Sequence, residues 1–227
     1  MTVLDPDLEY YRRLLSFDWP GAIAVVDRYL AERVGDVEGL YAEVLAPALV
    51  HTGREWEQGR ISVAHEHYIS EVTRDVIRRH GRRLWEHAPG SGPVAVACCV
   101  PGERHTIGLM MVCDVLAAGG LIVHMLGESA PREAIRDFVV QCGAELLCLS
   151  CTLDVFLPDA VDLIGRVRAA GPGLGVVIGG AAFGARGESL ARLVGADYFA
   201  ADIRALRHRL PGWLAGRTGA PRPIPAP

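Results

Sequence analysis

The chain has 227 residues, half of them hydrophobic and 22% charged, with a formal net charge of −4, the balance of an ordinary globular protein able to bury a core. A slightly acidic chain without a Lys/Arg-rich arm or recognition-helix pattern gives no reason to expect direct nucleic-acid binding. Residues 1–20 carry Asp5, Asp7, Glu9, Arg12 and Arg13, and no segment approaches about 18 uninterrupted apolar residues, so neither a secretory leader nor a membrane span is expected and the protein is read as cytoplasmic.

Residues 1–88 read as helices only. One is expected over Asp5 to Phe17, and Pro20, at the first helical position after Asp18-Trp19, opens a second through Ile23, Val26, Tyr29 and Leu30 to Val34. Gly35-Asp36 breaks it. A third runs from Val37 through Leu40, Val44 and Leu49 toward Trp56, with Pro47 predicting a kink. After the break at Gly59–Ile61, Ser62 is a candidate N-cap for a long fourth helix from Val63 to about Glu86. Four helices with short links imply a four-helix bundle. On the fourth, a turn of about 100° per residue puts His65, Tyr68, Ile69, Val72 and Val76 on one apolar face, with Glu66, His67, Ser70 and Arg74 on the other. By themselves His65 reads as a core histidine and Glu66 with His67 as a solvated face.

Pro89-Gly-Ser-Gly-Pro93 favours neither helix nor strand and is the best domain boundary. After it, strands at about 94–100, 121–126, 146–151, 174–178 and 197–200 alternate with helices at about 106–118, 131–142, 156–170, 187–195 and 203–209. Near-continuous apolar strands in strict alternation with helices imply an α/β, Rossmann-like (flavodoxin-like) domain over 93–210 with a five-stranded parallel sheet. The six cysteines (98, 99, 113, 142, 148 and 151) fall on these strands and helices, as small buried hydrophobes rather than a disulfide framework. From Pro211 to Pro227 a Pro/Gly-rich tail is expected to be extended or disordered.

The chemistry concentrates after the first strand. Val94–Val100 stops at the turn Pro101-Gly102, and His105 stands just before a helix that begins near Thr106. A histidine there lies at the carboxyl edge of the sheet, where open α/β folds bind ligands. Glu103, two residues away, can hold one ring nitrogen while the other meets a ligand, which is how proteins orient metal-binding imidazoles. The same residues fit an incidental surface loop equally well. Ser150-Cys-Thr152-Leu153 and Gly179-Gly180 end the third and fourth strands, so they should meet His105 in space. Hydroxyls there can hold Glu103 or a polar ligand, and glycines admit a bulky one. Three other patterns lead nowhere. Cys148-Leu-Ser-Cys151 lies within a strand instead of opening a helix, and Gly179–Gly184 lacks the dinucleotide spacing. His51, His65 and His67 would make a zinc set only if the two helix faces coincided.

Glu103-Arg104-His105-Thr106-Ile107-Gly108, Ser150-x-Thr152-Leu153 and Gly179-Gly180, in that order, resemble the cobalamin-binding domain of corrinoid methyltransferases, mutases and cobalamin photoreceptors, over roughly residues 93–209. The resemblance implies that His105 is the lower axial cobalt ligand, displacing the cofactor's dimethylbenzimidazole. The nucleotide tail would enter a slot lined by the Ser/Thr and Gly-Gly positions. Glu103 stands where many members have Asp. Trp56, followed after nine residues by Glu66-His67, is similar to the pattern of light-sensing, adenosylcobalamin-dependent transcription regulators, whose bundle caps the upper face of the corrin. Glu57 stands where photoreceptors with a bis-histidine light state carry a histidine directly after the tryptophan, so the light-state ligand is expected to be water or another histidine, His67 first. The resemblance thus implies a non-enzymatic sensor of adenosylcobalamin, with methylcobalamin or hydroxocobalamin as other corrinoids it would hold. Its output would pass to a separate transcription factor or signalling protein, with homo-oligomers as a further partner. The alternative is a corrinoid methyl carrier of a methyltransferase system.

Overall fold

Helix α1 (Pro6–Leu15) begins with a proline whose missing N–H costs nothing at a first turn. Asp18 caps α2 (Trp19–Glu32) by accepting the N–H of Gly21, and Asp36 caps α3 (Val37–Leu40) through Gly39. A π turn, Tyr41–Leu45, then leads into α4 (Ala46–Glu57). Pro47 explains it: a proline inside an α-helix would press its ring against the carbonyl four residues back, and the wider turn relieves that clash. The kink expected at Pro47 is therefore met by one wide turn inside a continuous rod. Ser62 caps α5 (Val63–His80), accepting from the His65 N–H, and Gly81 ends it before α6 (Arg82–Trp85), so the fourth helix is shorter than the sequence suggests. These features come from a computed structural model that describes residues 5–88, 90–128, 130–171 and 173–215.

Two of the helices end unusually. The N–H of Asp18 reaches the Arg13 carbonyl and that of Phe17 the Leu14 carbonyl, while the N–H of Gly35 reaches Leu30. These are Schellman endings, in which the residue after the cap turns left-handed and is usually glycine. Here the two positions hold Phe17 (φ 59°) and Val34 (φ 52°), each at a backbone cost of about 1–2 kcal/mol.

The chain divides after Leu84 into two compact units. The helical unit buries Tyr10, Leu14, Val26, Leu40, Tyr41, Leu45, Ile69, Val76 and Ile77. Its two buried threonines, Thr52 and Thr73, return their hydroxyls to the carbonyls of Ala48 and Ile69, both at 2.8 Å, which satisfies those two hydroxyls inside the core.

The second unit is a five-stranded parallel sheet of β1 (Val94–Cys99), β2 (Ile122–Gly127), β3 (Leu146–Ser150), β4 (Gly175–Gly179) and β5 (Tyr198–Ala200), in the order β2-β1-β3-β4-β5. Crossovers are made by α7 (Ile107–Ala118), α8 (Arg132–Gln141), α9 (Leu157–Ala170) and α10 (Gly187–Leu193), and α11 (Ile203–Ala215) follows β5. Central strands β1, β3 and β4 are almost wholly buried, as strands covered on both faces must be. Val96, Leu147, Leu149, Val176 and Ile178 pack with Ile135 and Val139 of α8 and Leu163, Ile164 and Val167 of α9. The expected helical bundle and Rossmann-like sheet are both present. One difference lies at the end: α11 continues through the exposed Pro211 to Ala215, and the rest of the expected tail lies outside the described residues. All six cysteines are free thiols. No helix among the described residues is long and apolar enough to cross a membrane.

Candidate functional site

In a sheet ordered 2-1-3-4-5, the chain leaves β1 and β3 in opposite directions, opening a crevice at their carboxyl ends. The loop after β1 is shaped for that place. The Glu103 N–H bonds the Val100 carbonyl at 2.9 Å, closing a turn with Pro101 second and Gly102 third at φ 92°, the pattern of a type II turn. Gly102 has a second constraint that sequence reasoning missed: a Cβ there would lie 2.6 Å from the ring of Phe156 in the loop after β3.

Glu103 is the one charged residue that is fully buried among those described. Its Oε1 accepts the backbone N–H groups of Arg104 (2.8 Å) and His105 (3.1 Å) and the ring Nδ1 of His105. Its Oε2 accepts the N–H groups of Thr152 (2.8 Å) and Leu153 (3.0 Å). Burial alone would raise the pKa of this carboxyl, but the ring and backbone donors outweigh it and bring it down to about 2. An ionised carboxylate only accepts, so His105 Nδ1 carries a proton, and in the neutral ring Nε2 holds the lone pair. The His105 side chain is 53% exposed. The arrangement is a nitrogen donor at a sheet edge, fixed in tautomer and orientation by a buried anion.

The sheet register aligns Cys99, Ser150, Gly179 and Ala200 across four strands. Thr152 and Leu153, which follow β3, do meet the His105 loop, with one change of role, while Gly179 and Gly180 lie one strand further along the sheet edge. Glu103 is gripped by the amides of Thr152 and Leu153 rather than by hydroxyls, because the chain turning out of β3 points successive N–H groups at it. Gly179 and Gly180 also answer first to the protein: Cβ atoms there would lie 2.9 Å from the Ala200 carbonyl and 2.2 Å from that of Cys151, and Gly180 has φ 110°. Gly108, in the first turn of α7, is different, since a Cβ there would meet nothing within 4 Å. Arg104 is exposed, Thr106 is the N-cap residue of α7, and Ile107 is buried beneath it.

In the helical unit, Trp56 is half-exposed in the last turn of α4 and Glu57 beside it is exposed. Glu66 Oε2 pairs with His67 Nδ1 at 2.5 Å, and Ser70 donates to Glu66 Oε1 at 2.7 Å. The helical faces differ from the sequence expectation. The buried stripe of α5 is Ile69, Thr73, Val76 and Ile77, and Glu66 continues it instead of facing away. The polar Thr73 misled the pattern, since it is buried with its hydroxyl 3.1 Å from that of Tyr10. His67 is well exposed as expected. His65, expected in the core, is instead part of the α5 cap, with Nδ1 2.7 Å from Ser62 Oγ.

Comparison with known proteins bears directly on this geometry. The B12 binding domain matches residues 93–205, and a second B12 binding domain family matches residues 9–79. The HTH-type transcriptional repressor CarH of Myxococcus xanthus is 34% identical over 170 residues, covering 74% of this chain and 54% of the repressor. This chain thus spans about half the repressor's length. Dimethylamine corrinoid protein 1 of Methanosarcina acetivorans is 25% identical over 159 residues, covering 69% of this chain and 73% of that one. In fold, the monomethylamine corrinoid protein of Methanosarcina barkeri superposes with a TM-score of 0.75 at 17% identity, covering 88% of this chain and 94% of its own. With both halves matched, the chain belongs to the B12-binding domain family and is a cobalamin-binding protein related to the repressors and to the corrinoid proteins alike.

Proposed function

We propose that the protein is a light- or cofactor-responsive sensor that holds adenosylcobalamin with His105 as its lower axial cobalt ligand. The observation that carries this reading is the Glu103–His105 pair, in which a buried carboxylate with five donors fixes the proton on Nδ1 and leaves Nε2 as a neutral nitrogen donor. Imidazole of this kind suits a borderline transition metal. The open space over Gly108 leaves room for a bulky group beside the ring. When bound, the cofactor would supply a cobalt–carbon bond that light can break.

The remaining work falls to the chain. Glu103 orients the ring; Arg104, Thr106, Ile107 and Gly108 frame it; Ser150, Thr152, Leu153, Gly179 and Gly180 line the way for the nucleotide tail. Trp56, Glu66 and His67 form the second contact set, against the upper ligand. Contacts made in only one state are what shift a conformational equilibrium, so this set is the origin of the signal, and a separate transcription factor or signalling protein receives it. The similarity to a repressor at 34% identity and the Trp56-x9-Glu66-His67 spacing support a sensor over an enzyme. One observation favours a second reading, a methyl carrier: the chain spans 73% of a dimethylamine corrinoid protein.

The test is dark reconstitution with adenosylcobalamin or methylcobalamin, with absorption spectra and hydrodynamic radius taken before and after green light. A sensor binds the adenosyl form more tightly and changes both spectrum and radius on illumination. Equal or tighter binding of the methyl form, with no change in radius, establishes the carrier.

A further inference from the structure

The α/β unit gathers positive charge at one corner, in a chain that is acidic as a whole. β5 is the last strand of the sheet and, among the described residues, pairs only with β4. Through Ala191, α10 joins the core on the face that holds α8 and α9. α11 packs instead against α7, which the right-handed crossover from β1 to β2 puts on the opposite face. A cleft of about 450 Å3 lined by both α10 and α11 therefore lies at the outer edge of β5. At the usual strand spacing this is about 14 Å across the sheet from β1, whose loop carries His105.

Three arginines line the cleft, Arg186 and Arg192 from the two ends of α10 and Arg209 from α11. Two of them converge on Glu188. Arg209 Nη1 reaches its carboxylate at 3.4 Å, and Arg192 Nε donates to its backbone carbonyl at 3.3 Å. The Arg186 guanidinium meets no carboxylate among the described residues. Glu188 is the one acidic residue in the lining, so the cleft carries an excess of positive charge. The Glu188 and Arg209 side chains are both 63% exposed, and an ion pair in water holds its partners weakly, so a stronger anion can displace this carboxylate. There is room for one: a Cβ on Gly184, in the same lining, would meet nothing within 4 Å.

Guanidinium forks bind phosphate through paired N–H donors, and the second negative charge of a phosphate neutralises the excess that one carboxylate leaves. The volume is that of a small-molecule site and exceeds what a lone phosphate ion fills. We propose that this corner binds a small organic phosphate, whose dianionic group takes the place of the Glu188 carboxylate among Arg186, Arg192 and Arg209. The site goes beyond the cobalamin reading and does not depend on which corrinoid the His105 crevice holds.

The experiment is calorimetric titration of the full chain, free of cobalamin and at low salt, with sodium pyrophosphate as the probe. It compares wild type with the double variant Arg192→Ala/Arg209→Ala, with Glu188→Gln, and with Arg78→Ala, an exposed arginine of α5 that controls for net charge. Wild type should saturate at one pyrophosphate per chain. Removing two charged donors should weaken binding at least about 10-fold, while Arg78→Ala matches wild type. Glu188→Gln should bind about 3-fold more tightly, because the competing anion is gone. That gain is opposite to what a merely structural ion pair would give, and it decides the matter even where the double variant melts early. A wild type that does not saturate, a Glu188→Gln that binds no more tightly, or an Arg78→Ala that loses as much as the double variant would overturn the site.

Discussion

Replacing Glu103 by Gln is the sharpest test of the site, because it keeps the shape of the side chain and removes only its charge and one acceptor. Five donors converge on the carboxylate, three at Oε1 and two at Oε2. An amide oxygen can serve the larger group, which leaves the N–H groups of Thr152 and Leu153 facing an NH2. Two buried donors without acceptors cost about 1–3 kcal/mol each. The titration gives an independent figure: a carboxyl lowered from 4.5 to about 2 represents roughly 3 kcal/mol of folding free energy at neutral pH. The folded-state pKa is depressed, so this contribution is complete above the unfolded value of 4.5 and is lost as pH falls toward 2. Denaturant unfolding of the cofactor-free protein should therefore show wild type about 3 kcal/mol more stable than Glu103→Gln at neutral pH, with the gap shrinking steadily below about pH 4.5. Hydrogen exchange should localise the loss, the amides of Thr152 and Leu153 exchanging on the order of 100-fold faster in the variant. A gap below about 1 kcal/mol at neutral pH, or one that is as large near pH 3 as near pH 7, would refute the clamp.

Two further outcomes follow from the same geometry. His105→Ala should leave the fold intact, because the side chain is 53% exposed, yet abolish the imidazole-ligated absorption spectrum of the reconstituted protein; an unchanged spectrum would remove His105 as the cobalt ligand. Gly180→Ala should destabilise the second unit by about 2–4 kcal/mol, since a Cβ would lie 2.2 Å from the Cys151 carbonyl at a φ of 110°, and a melting midpoint within a degree of wild type would show that the loop yields.

The strands and most helices were legible because their signals are local: apolar runs of strand length, helical periodicity, Pro20 at a first helical position and the cap at Ser62. Glu103, His105 and the glycine pair were legible as a spacing. What holds Glu103 was not, since backbone N–H groups are common to nearly every residue and only the path of the chain decides where they point. The buried face of α5 was misjudged because Thr73 is polar in type but satisfied internally by Ile69 and Tyr10. Phe17 and Val34 gave no turn signal, as the residue that marks such turns is glycine. The Pro/Gly content from Pro211 onward implies an extended tail, whereas α11 runs on to Ala215.

The π turn at Tyr41–Leu45 sets the phase of everything after it. A π turn is an α-helix carrying one surplus residue, with the Ala46 N–H reaching back five places to the Tyr41 carbonyl. Each residue rotates a helix by about 100°, so the surplus turns His51, Glu55 and Trp56 by that angle relative to the face that Val37 and Leu40 bury. Trp56 faces where it does because of an insertion three turns upstream. A deletion of one residue between 41 and 45 would leave α4 helical, its length almost unchanged, and swing the indole a quarter-turn around the rod. The aim of the aromatic surface is therefore governed by chain length, at a place that touches none of it.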